Sequence, residues 1–364
     1  MNENIEALRR YKLVPRMLVD VSRLDTACRL FGRALSMPVL VAPMAMQRMA
    51  HPEGELGMAR ACRVAGVPMC VSTMATHSVE EVGGAWAAAA ALPGAPAVDP
   101  GLWFQLYVVK DRAFTYDLVR SAEKAGYTAL VVTVDVPVAG RREADERNGF
   151  CLPDGVRLAN IERLEARQRG GGGGGDAASS GLEAESGSGL ARFFAEQADN
   201  TLTWAFVREL KRVTGLPVLV KGVLSPGDAA LALEAGCDGI VLSNHGGRQL
   251  DHAISAFDAL PHVARAVGGR VPVLADGGVR SGTDVVKALA LGADAVMVGR
   301  PMLWSLALGG AAGVAAGLGM LRDELRRTMA LCGLRTAREV RSDAEIVRAA
   351  DLHAGVLQRV RSRL

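Results

Sequence analysis

The chain has 364 residues, of which 49% are hydrophobic and 22% are charged, a balance that is typical of a globular protein with a large core. The net charge of +3 is too small to indicate nucleic acid as a partner. No uninterrupted apolar run reaches the roughly 18 residues that a membrane span needs. The six cysteines form no CxxC pair, so we expect small core residues in a reducing compartment and no metal site.

Eight short apolar runs recur along the chain, and a helix-like segment follows each of them. They are continuous rather than alternating, as in parallel strands that are buried on both faces. The runs begin at Pro38, Met69, Trp103, Ala129, Pro217, Gly239, Pro272 and Ala295. Intervening segments such as "SVEEVGGAWAAA" and "SGTDVVKALALG" open with a capping residue and contain or end in glycine. The pattern predicts an α/β fold, a (β/α)8 TIM barrel formed as one domain by residues 1–364, with a doubly wound open sheet as the alternative.

Polar side chains fall at the C-terminal ends of seven of these runs. In a barrel those ends converge on one face, where active sites lie. Any one of the side chains could simply bond a loop amide, but ten of them together predict a functional site. They are Ser72, Gln105, Tyr107, Thr133, Asp135, Lys221, Ser243, His245, Asp276 and Arg300.

The segment from Glu165 to Gly189 interrupts the alternation after the fourth strand. It is rich in Gly, Ser, Ala and Glu and cannot bury enough apolar surface to offset the entropy of ordering. A loop of this length inside a compact domain is usually a lid or a disordered insert. We predict a flexible, low-complexity insert at about residues 165–189, not a domain boundary.

The last two strands end in "ADGGVRSGTD" and "VGRP". Their glycines would let the backbone approach a ligand, and Arg280 and Arg300 would supply positive charge. The helix that starts at Ser281 would offer free N–H groups to an anion. Loops after the last two strands form the usual phosphate site of this barrel, although simple turn glycines would look the same. We predict a phosphate-bearing cofactor, and no GxGxxG follows the first strand to indicate a dinucleotide.

The stretch "IVLSNHGGRQLD" places a histidine and an arginine at the mouth of the sixth strand. Histidine can take up a proton near neutral pH, which suits His245 to act as a base. A planar guanidinium such as that of Arg248 grips a carboxylate with two parallel hydrogen bonds. A satisfied core histidine is the alternative. The other five histidines lack such neighbours, and we expect them to be structural or to lie at the surface.

Five motifs carry a family resemblance: "SNHGGRQLD", "DGGVRSGTDVVKALALGADAVMVGRP", "FQLYV", "TVDVPVAGRREAD" and "APMAMQRMAHPEGE". From about residue 6 to its end, apart from the Gly-rich insert, the chain resembles the FMN-dependent 2-hydroxy acid oxidases, to which glycolate oxidase and lactate oxidase belong. The resemblance implies FMN as cofactor and a small (S)-2-hydroxy acid as substrate. It also implies O2 as acceptor, which would give H2O2, and a homo-oligomer, a tetramer in the family.

The resemblance also implies roles for individual residues. His245 corresponds to the catalytic base, Asp135 to its carboxylate partner and Tyr107 to the tyrosine that bonds the substrate hydroxyl. Arg142 and Arg248 correspond to arginines at the substrate, and Met74 stands beside it. The implied cofactor contacts are Pro43, Met44, Ala45, Ser72, Gln105, Thr133, Lys221, Ser243, Asp276, Gly277, Gly278, Val279, Arg280, Gly299 and Arg300.

Three departures from the family pattern affect the expected activity. The family has a further N-terminal segment with a tyrosine at the substrate carboxylate, and we expect the present barrel to be N-terminally shortened, with Tyr11 in the wrong place to substitute. Met74 stands where glycolate oxidases have a tryptophan, and Met44 where a threonine is frequent.

Alternatives therefore remain at this point. One is a dehydrogenase that passes electrons to a quinone or a cytochrome, and another is a catalytically weak flavin-binding protein. The chain ends in Ser-Arg-Leu, close to the Ser-Lys-Leu peroxisomal signal, which predicts a peroxisomal and otherwise a cytoplasmic location.

Overall fold

A computed structural model of the chain describes residues 2–168, 196–343 and 345–349. Eight parallel strands, β4 to β11, close into a barrel with helices between them, which confirms the (β/α)8 prediction and excludes the open sheet. In chain order the strands are β1 Tyr11–Leu13, β2 Cys28–Leu30, β3 Arg33–Leu35, β4 Val39–Val41, β5 Met69–Ser72, β6 Leu102–Leu106, β7 Ala129–Thr133, β8 Val218–Val223, β9 Gly239–Leu242, β10 Val273–Asp276, β11 Ala295–Val298 and β12 Val347–Ala349.

The helices of the described residues form the outer layer. They are α1 Asn2–Arg9, α2 Gly54–Ala65, α3 Val79–Ala88, α4 Arg112–Lys124, α5 Glu143–Arg147, α6 Ala159–Gln168, α7 Trp204–Val213, α8 Pro226–Glu234, α9 Ala256–Val267, α10 Gly282–Ala290, α11 Arg300–Leu331 and α12 Ala337–Ser342. Serine side chains cap the first turns of α3, α8 and α10, as their sequences predict. Each cap satisfies an N–H group that the helix itself leaves without a partner.

The barrel closes where β11 pairs with β4, with Val296 opposite Val39. Its interior is filled by apolar side chains, so the centre is a packed core and not a channel. The β2–β3 hairpin covers the N-terminal end of the barrel, where the rings of Phe31 and Trp103 lie 5.7 Å apart. Because that end is covered, the C-terminal ends of the strands form the accessible face.

The predicted insert and the predicted burial of all the cysteines are each wrong in part. Glu165 to Gln168 do not belong to a flexible insert, since they complete α6, where Leu164 is buried and Arg167 pairs with Asp117. The remainder of the predicted insert, residues 169–189, lies outside the described residues. Cys151 is exposed rather than part of the core because it follows α5 on a surface loop.

Helix α11 has the length and the mean hydropathy of a membrane-crossing helix, although its apolar residues do not form one uninterrupted run. Its backbone is broken, however, at Gly309 and Gly310, whose φ angles are −163° and +55°. Glu53 accepts a hydrogen bond from the N–H of Ala311 at 2.7 Å and so caps the second half. The helix packs against α2 and α10 as the outer helix of the last β/α unit. That the protein has no membrane partner stays a prediction.

Adjacent glycines in α3 offer a matched test of this packing. A Cβ atom on Gly83 would lie 2.6 Å from the carbonyl oxygen of Ala125, whereas one on Gly84 would meet nothing within 4 Å. Because alanine loses less backbone entropy on folding, Gly84→Ala should stabilise the fold by about 0.5–1 kcal/mol. Gly83→Ala should destabilise it, because the α3–α4 contact must open. Thermal unfolding of the two variants checks this, and a higher melting temperature for Gly83→Ala would contradict the packing.

Candidate active site

The C-terminal ends of the barrel strands surround one pocket, and the structure brings nearly all the predicted site residues to it. Those that line it are Pro43, Met44, Ala45, Ser72, Met74, Gln105, Tyr107, Thr133, Arg142, Lys221, His245, Arg248, Asp276, Gly277, Gly278, Val279, Arg280, Gly299 and Arg300. Asp135 and Ser243 lie directly behind the lining and bond residues in it. The walls also include Ala42, Met46, Gly246, Met297, Val298 and Leu303, which are apolar or glycine residues without a functional group that would indicate a role in binding.

His245 lies between a carboxylate and a phenol. Its Nδ1 atom is 2.9 Å from Oδ1 of Asp135, and its Nε2 atom is 3.4 Å from the hydroxyl of Tyr107. A carboxylate at Nδ1 favours the tautomer that leaves Nε2 free to accept a proton on the pocket side. Burial raises the pKa of Tyr107 to about 12, so its hydroxyl remains a hydrogen-bond donor at neutral pH.

The backbone of the "NHGG" stretch explains why glycines follow the histidine. His245, Gly246 and Gly247 have φ angles of +58°, +67° and +73°, a left-handed run that glycine adopts readily and histidine does not. Asn244 holds this turn by accepting the N–H of Gly247 at 3.1 Å. Asn244 in turn exchanges two side-chain hydrogen bonds, of 2.8 and 2.7 Å, with the buried Asn4 of α1.

Lys221 places a buried positive charge on the floor of the pocket. Its ammonium group lies 3.4 Å from Asp276 and donates to the hydroxyl of Ser243 at 2.9 Å. Burial would lower the pKa of Lys221, but the charges of Asp276 and Asp135 raise it above its ordinary value, so the group is cationic. The same hydroxyl of Ser243 accepts the backbone N–H of His245 at 2.9 Å and links the two residues.

The donor set of the pocket fits FMN. Among the described residues, Oδ1 of Asp276 and Nε2 of Gln105 are buried without a hydrogen-bond partner. Such groups are costly to bury unless a ligand satisfies them. A ribityl chain and a flavin ring would offer hydroxyl donors to Asp276 and acceptors to Gln105, and the cation of Lys221 would lie beside them.

The phosphate end differs from the sequence-based expectation in one respect. The N–H groups just before α10 and at its first residue are already paired, because Asp284 accepts those of Arg280 and Ser281, and Glu324 accepts that of Gly282. Helix α11 is better placed, since it begins at Arg300, and Gly299 before it caps the helix without a side chain. Gly299, Arg300 and Arg280 together form the end of the pocket that offers positive charge and a helix start to an anion.

Clustered cations make this end of the pocket electropositive. Burial lowers the pKa of Arg280, and burial together with the charges of Arg280 and Arg248 lowers that of Arg300. Mutual repulsion of this kind is relieved when an anion binds between the groups. The guanidinium of Arg280 also lies 5.2 Å from the centre of the Trp304 ring, which helps to fix its position.

Arg142 and Arg248 form a second pair of cations at the pocket mouth. Burial and the charge of Arg248 lower the pKa of Arg142. Arg142 donates to the carbonyl oxygens of Gly140 and Arg248 and to the side chain of Gln249, which holds it close to Arg248. Two neighbouring guanidinium groups beside an imidazole are suited to bind a small carboxylate.

Glu55 of α2 organises two walls of the pocket, and the sequence did not indicate it. Its fully buried carboxylate accepts the Thr76 hydroxyl at 2.5 Å, lies 2.8 Å from Nδ1 of His77 and accepts the N–H groups of Thr76 and Gln47 at 3.0 and 3.1 Å. The loop that carries Met44 is thereby tied to the loop that carries Met74. Burial alone would raise the pKa of Glu55, but the hydrogen bonds from His77, Thr76 and Gln47 lower it below its ordinary value.

A barrel with clustered arginines after its last two strands, a buried lysine and a paired histidine is the arrangement of a class of flavin mononucleotide oxidoreductases. Comparisons with known proteins agree. The model of the FMN-dependent dehydrogenase family matches residues 1–347, and the chain belongs to this family, with FMN as its cofactor.

Relatives of known name are similar over most of the chain. Glycolate oxidase 3 of Arabidopsis thaliana is 47% identical over 341 residues, which are 93% of this chain and 86% of the relative. L-lactate oxidase of a Nostoc species is 47% identical over 336 residues, 92% and 86% of the two chains. A crystal structure of mandelate oxidase with (S)-4-hydroxymandelic acid aligns with a TM-score of 0.84 and 42% identity, over 96% of this chain and 90% of that one.

The depressed pKa of Glu55 predicts a pH-dependent stability. A carboxylate whose pKa falls on folding stabilises the fold fully above its ordinary pKa, near 4.5, and this stabilisation is lost as the pH falls through the folded value. Glu55→Gln should therefore lower the melting temperature at pH 7. The gap in melting temperature between this variant and the parent should become smaller below about pH 4.5. Glu234→Gln, at an exposed position, is the control. A gap in melting temperature that stays the same from pH 7 to well below pH 4.5 would contradict a charged Glu55 in the folded protein.

Proposed function

We propose that this oxidoreductase converts small (S)-2-hydroxy acids into 2-oxo acids with O2 as electron acceptor. The observation that carries the proposal is the contact of His245 with Asp135, at a pocket mouth that also holds Arg248 and Arg142. A base, a carboxylate that stabilises its protonated form and two guanidinium groups are the set that an anionic substrate with an acidic hydroxyl requires. The names of the relatives, glycolate oxidase and L-lactate oxidase, support this substrate class.

Each residue has a separate task in the proposed reaction. Arg248 and Arg142 bind the substrate carboxylate and orient the hydroxyl-bearing carbon, and the Tyr107 hydroxyl bonds the substrate oxygen. His245 takes up a proton at Nε2, and Asp135 stabilises the resulting imidazolium through Nδ1. Bound FMN supplies the acceptor for the two electrons. Lys221, cationic and buried, stabilises negative charge on the floor of the pocket.

The overall stoichiometry balances two electrons and two protons. The substrate loses them when its C–OH group becomes a carbonyl, and O2 takes up both pairs to become H2O2. An oxidase that releases peroxide would be well placed in a peroxisome, for which Ser-Arg-Leu at residues 362–364, outside the described residues, is the predicted signal. A quinone or cytochrome acceptor is the rival to O2.

Anaerobic mixing tests the proposal, with absorbance of the bound flavin as the readout. The parent protein should be bleached by at least one of glycolate, lactate and longer 2-hydroxy acids, and its absorbance should return on admission of O2 with release of H2O2. His245→Ala should retain FMN but lose about 10²–10⁴-fold in the rate of bleaching, the usual effect of removing a positioned base.

Three outcomes would count against parts of this proposal. Bleaching of His245→Ala at the parental rate would remove His245 from the reaction. Bleaching of the parent without recovery in O2 would favour the quinone or cytochrome acceptor. FMN-loaded parent that no 2-hydroxy acid reduces would indicate a flavin-binding protein without this activity.

Met74 should favour substrates larger than glycolate. Its side chain is buried in the pocket wall, and a flexible thioether can move aside for a substrate side chain. Each substrate methylene that becomes buried should add about 0.8 kcal/mol of binding. We expect kcat/KM to rise from glycolate to lactate and longer 2-hydroxy acids, and Met74→Trp, which fills the space, to reverse the order. A parent protein that prefers glycolate over the whole chain-length series would contradict this role.

A further inference from the structure

Gln249 directly follows Arg248, one of the two arginines at the pocket mouth. It lies between two loops that carry residues of the proposed reaction. One is the turn after β9, with His245 and Arg248. The other, after β7, runs from Asp135 to Arg142 and carries the carboxylate partner of His245 at one end and a mouth arginine at the other. How these loops keep their relative position is not explained by the barrel, because both lie beyond the ends of their strands.

The side-chain amide of Gln249 uses its full hydrogen-bonding capacity on the β7 loop. Its Nε2 group donates to the carbonyl oxygens of Asp135 and Val138, both at 3.0 Å. Its Oε1 atom accepts from the N–H of Gly140 at 3.0 Å and from Nη2 of Arg142 at 3.3 Å. Two donors and two acceptors are all that a primary amide possesses.

The orientation of this amide follows from its partners. Both groups on the nitrogen side are carbonyl oxygens, which can only accept, and both groups on the oxygen side are N–H donors, so the reversed amide would face like groups at all four contacts. The contact is also close, since a Cβ atom on Gly140 would lie 2.8 Å from Oε1 of Gln249 and even nearer to the carbonyl oxygen of Arg248. Glycine at 140 is what lets the two loops meet.

We propose that Gln249 is a positioning residue whose amide holds the catalytic carboxylate loop against the His245–Arg248 turn. The donor half of the amide fixes the backbone of Asp135 and so the partner of His245. The acceptor half fixes Gly140 and Arg142 and so the substrate mouth. The inference rests on the proposed function, because it assigns effects on the chemical step and on substrate binding to different halves of one side chain.

Two variants separate the halves. Gln249→Met has a similar length and makes none of the four hydrogen bonds. Gln249→Glu keeps one acceptor oxygen for Gly140 and Arg142 but places its second oxygen, in the position of Nε2, against the carbonyl oxygens of Asp135 and Val138. Leu250→Ala, at the next and largely exposed position, is the local control.

Flavin reduction and substrate binding are measured on each FMN-loaded variant. Binding is followed through the flavin absorbance with 2-hydroxyisobutyrate, which carries the carboxylate and the hydroxyl but has no α-hydrogen to lose. Gln249→Met should lower the maximal reduction rate and raise both KM and the Kd of the probe by about 10-fold or more, since misplacement of about 1 Å can cost 10²-fold. Gln249→Glu should lower the reduction rate comparably while KM and the probe Kd stay within about threefold of the parent, which is about 0.7 kcal/mol of binding free energy.

The positioning role is tested by whether the two variants differ in their effect on substrate affinity. The positioning role would be overturned if Gln249→Met and Gln249→Glu changed the reduction rate and the affinity to the same extent. It would also be overturned if both variants matched the parent and Leu250→Ala in rate and affinity. If Gln249→Met does not retain FMN, the Gln249→Glu variant alone still tests the proposal, because a reduced rate at parental affinity supports it and any other pair of values contradicts it. Failure of the parent itself to be reduced by 2-hydroxy acids would instead defeat the proposed function.

Discussion

The ammonium group of Lys221 is buried at the pocket floor, where water cannot solvate its charge. It is tolerated because Asp276 and Asp135 balance the charge and Ser243 accepts one of its hydrogens. Removing one partner from a buried ion pair costs about 3–5 kcal/mol, so these groups are held in place together. Since Ser243 also accepts the N–H of His245, the position of the histidine depends on the same buried charge. Lys221 on the pocket floor and the proposed base His245 therefore belong to one network of charges and hydrogen bonds.

Much of this arrangement could be predicted from the sequence because its determinants are local. Continuous apolar runs indicate strands buried on both faces, and in a closed barrel the polar residues that end them must converge. Serine caps such as Ser281 are likewise short-range signals. The resemblance in "SNHGGRQLD" then added roles to positions that strand periodicity alone could only place at the mouth.

The remainder depends on contacts between residues far apart in the chain. The expected anion site at the start of α10 is occupied because Glu324, 42 positions away from Gly282, reaches its N–H from α11. Glu55 and Gln249 lie within two of the resemblance motifs, but only the folded backbone shows which N–H and carbonyl groups they satisfy. Composition also fails to predict the helical end of α6 at Glu165 to Gln168, since it does not reveal that Arg167 pairs with Asp117.

The left-handed backbone at His245 makes the turn depend on helix α1. A non-glycine residue in this conformation is strained by about 1–2 kcal/mol, so the turn keeps its shape only while its neighbours hold it. One of those neighbours is Asn244, whose amide is paired with Asn4, 240 positions earlier. Asn4, Ala7 and Leu8 bury one face of α1 against the barrel. The geometry of the proposed base is therefore conditional on the docking of a helix that contributes no side chain to the pocket.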